Sequence, residues 1–557
     1  MEFFYKRRGA LIATCIFLLT TLLFTLDLFL QKARPASFDE VVHLTTIAQF
    51  AQAFQSGDFL VRWANNYSNY GGPLGIIAHQ TTAYFGGLLV LLTSNVHFSF
   101  NILYFLGLFL SVLTFYVFLR QDFSERASLV AAVLYQFSAY RIMNVYVRGA
   151  LPEIWAAIFL PLVLLAIRVG CRKNRFRGIL LALISIFLLA VTHPMMLIVY
   201  LPIIGGVLVY EVWKAKREKC LCFLSQVLAM GFGVGLAAYY LLPLLLEIKY
   251  FYHGLSTNHF VSGYTLSLRN YFWENWPYFY QHDIYARGHV LNFGLIETLG
   301  VFLLVVLFMY AFWKKNKREM LFLLMWLAIL VIYLLLLLPY SEIIFQKISL
   351  LGNIQFQWRM LSGLIFIPGI IYAYFLNKLP GKIQYWFALL LLVLMAYLRF
   401  PQLYGKNFTN FSQARYFFTR ENVHTVSMNT IWSDKSENYP QKTKQYAVIS
   451  GRGKVRPILL QNSERLYETE ANTLLRLVDY TFYFPGWRVY VDGVEQNIEF
   501  QDMNYRGLIT YQVPAGKHSV KVVFENTKIR LLANLLSVFS AVCGGLFFFL
   551  VRKRLRK

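Results

Sequence analysis

The sequence predicts a multispan α-helical membrane protein of about 12 transmembrane helices, with a small extracytoplasmic β-rich domain before the last helix. Three observations predict it. Of 557 residues, 57% are hydrophobic and 18% aromatic, and the mean hydropathy is +0.49, too apolar for an ordinary soluble chain. Stretches long enough to cross the hydrocarbon core recur along the sequence. One segment near the C-terminus is instead polar and alternates with the two-residue period of strands.

The first apolar stretch, residues 9–30, follows the basic MEFFYKRR. It is long for a signal-peptide core and no small-residue cleavage site follows it, so it reads as a retained helix. The other predicted spans lie near 97–119, 128–144, 152–169, 178–192, 195–213, 221–246, 291–312, 319–338, 360–377, 384–399 and 530–551. The basic runs at 6–8, 172–177, 214–219, 314–318 and 552–557 fall on alternate loops of this map, which makes those loops cytoplasmic. Both termini are then cytoplasmic; for a bacterial source the membrane is the plasma (inner) membrane. The net charge of +25 is explained by topology, and nucleic acid is excluded as a partner. Cys15, Cys171, Cys220, Cys222 and Cys543 fall within spans or on the cytoplasmic side, which excludes an exterior disulfide framework. The sequons at Asn66, Asn407 and Asn410 would be exterior.

Three exterior segments exceed a simple turn: 31–96, 247–290 and 400–529, and long loops tend to carry function. The domains are accordingly 1–399, a transmembrane region; 400–529, a β-rich domain; and 530–557, the final helix with a basic tail. RVYVDGVEQNIEF (488–500) reads as two strands about an Asp-Gly turn, and ITYQVPAGKHSVKVVFE (509–525) as two more about Pro-Ala-Gly. VVHLTTIAQFAQAF (41–54) has the spacing of an amphipathic helix lying on the membrane surface. YFGGLLVLLTS (84–94) is too short to span, and RWANNYSNYGGPLG (62–75) is a polar, aromatic run between them.

The candidate chemistry begins at Asp39, Glu40 and His43, an acidic cluster just beyond the first span. Ser37 and Glu40 have capping-box spacing, so Glu40 either returns a hydrogen bond to the helix start or joins Asp39 in catalysis. Asp39, at the second helical position, lies near the positive end of the dipole, which favours its ionised form. It can accept a proton from a substrate hydroxyl or, with Glu40 or His43, bind a divalent cation. The arginines expected on the exterior side are Arg62, Arg148, Arg269 and Arg359. Each is a candidate phosphate contact, with snorkelling or an Arg148–Glu153 ion pair as the structural alternative. His193 and Glu297 lie at span ends and Asp27 within one; such groups face the protein interior or a wet cavity. The run NYFWENWPYFYQHDIY (270–285), with Glu274 and Asp283, serves either as an acceptor groove or as an interfacial aromatic belt.

FDEVVH (38–43) resembles the first exterior loop of GT-C integral-membrane glycosyltransferases, particularly the protein-mannosyltransferase pattern. SGDFLVRWANNYSNYGGP (56–73), YRIMNVYVRGALPE (140–153), THP (192–194), IQFQWRML (354–361) and FPGWRVYVDG (484–493) are similar to ordered motifs of the YfhO-like and 6-pyruvoyl-tetrahydropterin-synthase-related membrane proteins. The chain departs from that pattern at Gln357, where Pro is usual, and at Pro194, where Asn is commoner. The resemblance implies a GT-C-like fold and inverting transfer of a sugar from a polyprenyl-phosphate donor to an extracytoplasmic cell-envelope acceptor: a glycan, a teichoic-acid-like polymer, a lipid or a protein. It implies Asp39 and Glu40 as catalytic residues and His43, Arg62, Arg148, Glu153, His193 and Arg359 as substrate contacts. The cofactor, if any, would be a divalent cation, and the site would face outward among membrane lipids. A transporter or flippase of lipid-linked saccharides and a non-catalytic envelope scaffold are the alternatives.

Overall fold

A computed structural model describes residues 2–556 except 32, 36, 216–217, 252–259, 263–271, 273–291, 406–407, 409–411, 420–428 and 435, and omits the side chains of 2–8, 437 and 554–556. The run 270–285 (its residue 272 apart), with Arg269, Glu274, Asp283 and the sequons at Asn407 and Asn410, lies outside the described residues.

Among the described residues, ten helices are long and apolar enough to cross a membrane, from Gly9–Leu30 to Lys528–Lys553. Two of the expected spans are broken instead. Residues 128–144 fall on two helices, Glu125–Gln136 and Ala139–Tyr146. The break is held by Glu297, whose Oε1 accepts the backbone N–H of Ala139 at 3.1 Å, one of the donors a helix start leaves open. Glu297 also pairs with Arg399 at 2.7 Å, both side chains buried, so this charge stabilises a helix break. Residues 195–213 likewise divide into Pro194–Val199 and Leu201–Lys214, where Pro202 has no N–H to continue the ladder.

The helix Glu40–Gln55 is not a membrane-surface helix. Leu44, Ile47, Ala48, Phe50 and Ala51 are buried, and so are Thr45 and Gln49. The Gln49 amide donates to the carbonyls of Tyr416 and Phe417 at 3.0 Å, which roof the polar side. Its other side lies against Gln80–Thr93, where a Cβ on Gly86 would overlap Ile47 and one on Gly87 would overlap Phe50. These two glycines let the helices approach backbone to backbone.

Eight strands build the β domain: β1 (Tyr446–Ser450), β2 (Gly453–Leu460), β3 (Glu464–Ala471), β4 (Leu475–Phe482), β5 (Trp487–Val491), β6 (Val494–Gln496), β7 (Leu508–Val513) and β8 (Gly516–Phe524). They form two antiparallel sheets, ordered β1-β4-β7 and β2-β3-β8-β5-β6. Leu475, Leu477, Val489, Tyr511, Val520 and Val522 are buried in its core. That core also takes in Trp63, Tyr70 and Ile76, so the 62–75 run is the socket for this domain. The Trp63 ring meets Trp487 edge-on at 5.2 Å, and Asn65 Oδ1 accepts from Arg465 at 2.6 Å. Gly71 adopts φ +87°, and a Cβ there would strike the Trp63 indole. At the base of the domain Arg530, on the last helix Lys528–Arg556, pairs with Glu247 at 3.0 Å with both side chains buried.

Cys171 and Cys222 meet, with Cα atoms 5.6 Å apart, beside the basic run that follows Arg172.

Candidate functional site

A cavity of about 570 Å³ opens at the start of the span Leu151–Arg172. Asp39, His43, Arg148, Glu153, His193 and Arg359 all line it, six of the eight candidate residues. They come from four separate stretches of chain, so the fold has brought them together.

Asp39 is placed by backbone. Its N–H donates to the carbonyl of Arg148 at 2.8 Å, and that of Phe38 to Val147 at 3.3 Å. The join is close because Gly149 adopts φ +70°; a Cβ there would sit 2.7 Å from Ser37 Oγ and 2.8 Å from the Glu40 nitrogen. Only glycine meets both demands. Asp39 occupies the cap position of the helix rather than the second helical position, and its side chain makes no capping hydrogen bond. The carboxylate is open to the cavity, 43% exposed, with Oδ2 3.9 Å from Arg148 Nη2.

Its pKa moves opposite to the direction expected from the helix dipole. Burial in the cavity wall raises Asp39 above the ordinary value of 3.8; Arg148 and Arg359 oppose this and Glu153 adds to it. Removal from water outweighs the attraction of two cations here.

Glu40 does not stand beside Asp39. It is buried, pairs with Arg34 and accepts from Ser37 Oγ at 3.0 Å, so Ser37 serves Glu40's side chain and not a capping box. Arg34 reaches on to Asn101, which donates to the carbonyl of Leu28 at 2.6 Å. Glu40 thus fixes the loop to the first helix. A cation set of Asp39, Glu40 and His43 is not assembled, and among the described residues no group of three or more His, Cys, Asp or Glu side chains fits a metal ion.

The two cavity arginines differ in their partners. Arg148 Nη1 donates to Glu153 Oε2 at 2.6 Å, to Asn144 Oδ1 at 2.7 Å and to Tyr140 Oη at 3.1 Å. Its guanidinium lies 4.3 Å over the Trp358 ring. Tyr140 Oη also donates to Glu153 Oε1 at 2.7 Å. Arg359 has weaker and neutral partners: the Ile354 carbonyl at 2.9 Å, Met195 Sδ at 3.0 Å and Gln355 Oε1 at 3.4 Å. Its Nε is buried without a hydrogen-bond partner.

Three histidines cross the cavity. The His79 ring stands 4.5 Å from His193 and 6.2 Å from His43. Burial, with His79 and the arginines adding to it, holds His193 well below the usual histidine range, so it is neutral at pH 7. Apolar side chains complete the wall: Ile198, Leu244, Leu245, Ile248 and Leu350.

Arg62 is the other residue set apart. It donates to the Tyr239 carbonyl at 3.0 Å and to Asn534 Oδ1 at 3.4 Å, joining the loop beneath the β domain to the last helix. Sequence reasoning missed His79, Trp358, Tyr140 and Asn144. For the last two a signal existed, since Tyr140, Asn144 and Arg148 recur at four-residue spacing, the spacing of one helix face.

Comparison with known proteins adds the following. An uncharacterized protein of Lactococcus lactis subsp. cremoris is 24% identical over 263 residues, 45% of this chain and 40% of that protein. Among solved structures, the arabinofuranosyltransferase AftD from Mycobacteria is similar with a TM-score of 0.45 and 16% identity, covering 73% of this chain and 28% of that one. The oligosaccharyltransferase of Archaeoglobus fulgidus is similar with a TM-score of 0.42 and 13% identity, covering 74% and 56%. The chain therefore spans less than two thirds of each of these proteins. Residues 82–404, more than half of the chain, match the profile of the 6-pyruvoyl-tetrahydropterin synthase related domain of membrane proteins, and the chain belongs to that family.

Proposed function

We propose that this membrane protein is a glycosyltransferase that moves a sugar from a polyprenyl-phosphate donor to an acceptor hydroxyl outside the cytoplasm. The observation that carries the reading is the cavity itself: a carboxylate held open by backbone contacts shares its wall with an arginine that, among the described residues, has no carboxylate partner. Asp39 takes the proton of the acceptor hydroxyl as its oxygen attacks the anomeric carbon. The bond from that carbon to the phosphate oxygen breaks, and the lipid phosphate leaves with the electron pair. Because attack and departure occur on opposite faces, the sugar's configuration inverts. Arg359, whose partners are neutral, meets the phosphate charge as it develops, and His193, uncharged, offers a hydrogen bond without competing for that anion. The apolar wall from Leu244 to Ile248, with Leu350, suits the lipid chain.

The raised Asp39 carboxyl favours this role, since a base that leaves its proton less readily is the stronger one. No step is assigned to a metal, because Glu40 is committed to Arg34.

A second reading, transport of a lipid-linked saccharide, draws on the broken spans: Pro194 and Ile198, from the short half of one, line the cavity, as interrupted helices do in transporters. Assay of sugar transfer by purified protein in vesicles, with donor and acceptor on the same side, separates the two. A transferase forms the glycosylated product there, and a transporter forms none.

A further inference from the structure

The two arginines in the cavity are chemically alike and differently held. Resting on the proposed glycosyl transfer, we infer that Arg148 is the positioning residue of Asp39, while contact with the donor's phosphate belongs to Arg359.

Arg148 is committed in four directions. Glu153, Asn144 and Tyr140 hold one guanidinium nitrogen at 2.6, 2.7 and 3.1 Å, and Trp358 covers the face at 4.3 Å. Its carbonyl receives the Asp39 N–H at 2.8 Å. What remains is Nη2, turned to Asp39 Oδ2 at 3.9 Å, too far for a hydrogen bond and near enough to orient a carboxylate. Reaching a substrate phosphate would mean leaving Glu153 buried and unpaired, which is costly. Among the described residues Arg359 pairs with no carboxylate: two neutral oxygens and a thioether accept from it, the Phe356 and Trp358 rings lie 5.6 and 5.8 Å away, and its Nε is unpartnered. Glu153 is then the anchor of a relay running from Glu153 through Arg148 to Asp39. The charged and titratable groups facing Asp39 are Arg148, Arg359, Glu153, Glu40 and Tyr104, with His43, His79 and His193 across the cavity, and of these Arg148 alone shares with it both a backbone bond and a charge contact under 4 Å.

The test separates binding from turnover in the full chain. Binding of polyprenyl phosphate is measured on protein in nanodiscs, and transfer at saturating donor in the same preparation. Arg359→Gln is expected to weaken polyprenyl phosphate binding by roughly 10- to 100-fold, the worth of charge-assisted hydrogen bonds. Arg148→Gln is expected to leave that binding nearly unchanged and to lower the saturated transfer rate by roughly 100-fold, as a small misplacement of a catalytic group does. Since Arg148→Gln strands Glu153, the double variant Arg148→Gln/Glu153→Gln, which keeps the wall neutral, is measured beside it and should show the same pattern. Arg148→Lys should recover part of the rate and, like Arg148→Gln, leave binding nearly unchanged. If both Arg148 variants weaken binding as much as Arg359→Gln, the assignment is overturned while the glycosyl-transfer reading stands. If the wild type binds no polyprenyl phosphate, that reading falls and takes the assignment with it.

Discussion

At Asp39 the opposing effects on one carboxylate have a definite order. Burial raises it and the arginines draw it back, and burial wins. The pH dependence follows with its sign. In the proposed mechanism transfer requires the ionised carboxylate, so the rate should climb with pH through the Asp39 pKa. That acid limb should lie above 3.8, the ordinary value for aspartate, and Arg148→Gln should move it further up by removing the nearer cation. A rate profile across mildly acidic pH checks both; a limb that stays put in the variant contradicts the role of Arg148. Asp39 was legible in sequence because an acidic residue just outside a first span is rare in so apolar a chain. The fate of Glu40 was not. Neighbouring residues at a helix start point about 100° apart, and the Arg34 that captures Glu40 carries no mark in sequence. Gly149 belongs to this scale too. Its left-handed backbone and the contacts its hydrogen makes with Ser37 and Glu40 predict that Gly149→Ala costs roughly 1–3 kcal/mol of stability, with a greater loss of transfer than of expression. Thermal unfolding and rate measured on one preparation decide it.

Elements were easier to read than their interruptions. Apolar length located the spans, and the two-residue period with its Asp-Gly turn located β5 and β6, because burial of a repeating pattern is a local property. The break at Ser138 was hidden, since the acceptor that holds it comes from Glu297, 158 residues away. The 62–75 run was seen and its purpose was not: Trp63 and Asn65 make sense only once Trp487 and Arg465 are opposite them. Inside the β domain, Arg465 and Asp479 are fully buried and 3.2 Å apart, and Tyr467 donates to the same carboxylate at 2.9 Å. Removing one charge strands the other, so Asp479→Leu should destabilise the domain by about 3–5 kcal/mol. Arg465→Met/Asp479→Leu together should cost much less. Chemical denaturation followed by tryptophan fluorescence reads both; equal losses would show that the pair, as a pair, contributes little.

Over the whole molecule the helix Leu151–Arg172 gives the direction. Glu153 sits in its first turn at the cavity, and Arg172 in its last turn opens the basic run, about 28 Å away along the axis. At that far end Asp122, Arg168, Arg172 and Glu211 form a cluster of ion pairs. The β domain joins the cavity end, since the helix that supplies Tyr240 and Leu244 to the cavity ends at Glu247, the partner of Arg530. The positive-inside rule predicts that the cavity and the β domain face outward. In a background lacking the native cysteines, an impermeant maleimide should label Met503→Cys, at a site 97% exposed, on intact cells. Lys315→Cys should react only after lysis; the opposite pattern would invert the molecule and place the cavity inside.

The proposed glycosyl transfer depends on Asp39 doing chemistry in this cavity. Its most direct measurement is transfer of labelled sugar from a panel of polyprenyl-phosphate monosaccharides to outward-facing envelope acceptors, comparing wild type with Asp39→Asn at matched expression. The wild type should transfer sugar, with a loss on the order of 100- to 10,000-fold in the variant, the range for removal of a general base. Equal transfer by both proteins would contradict it.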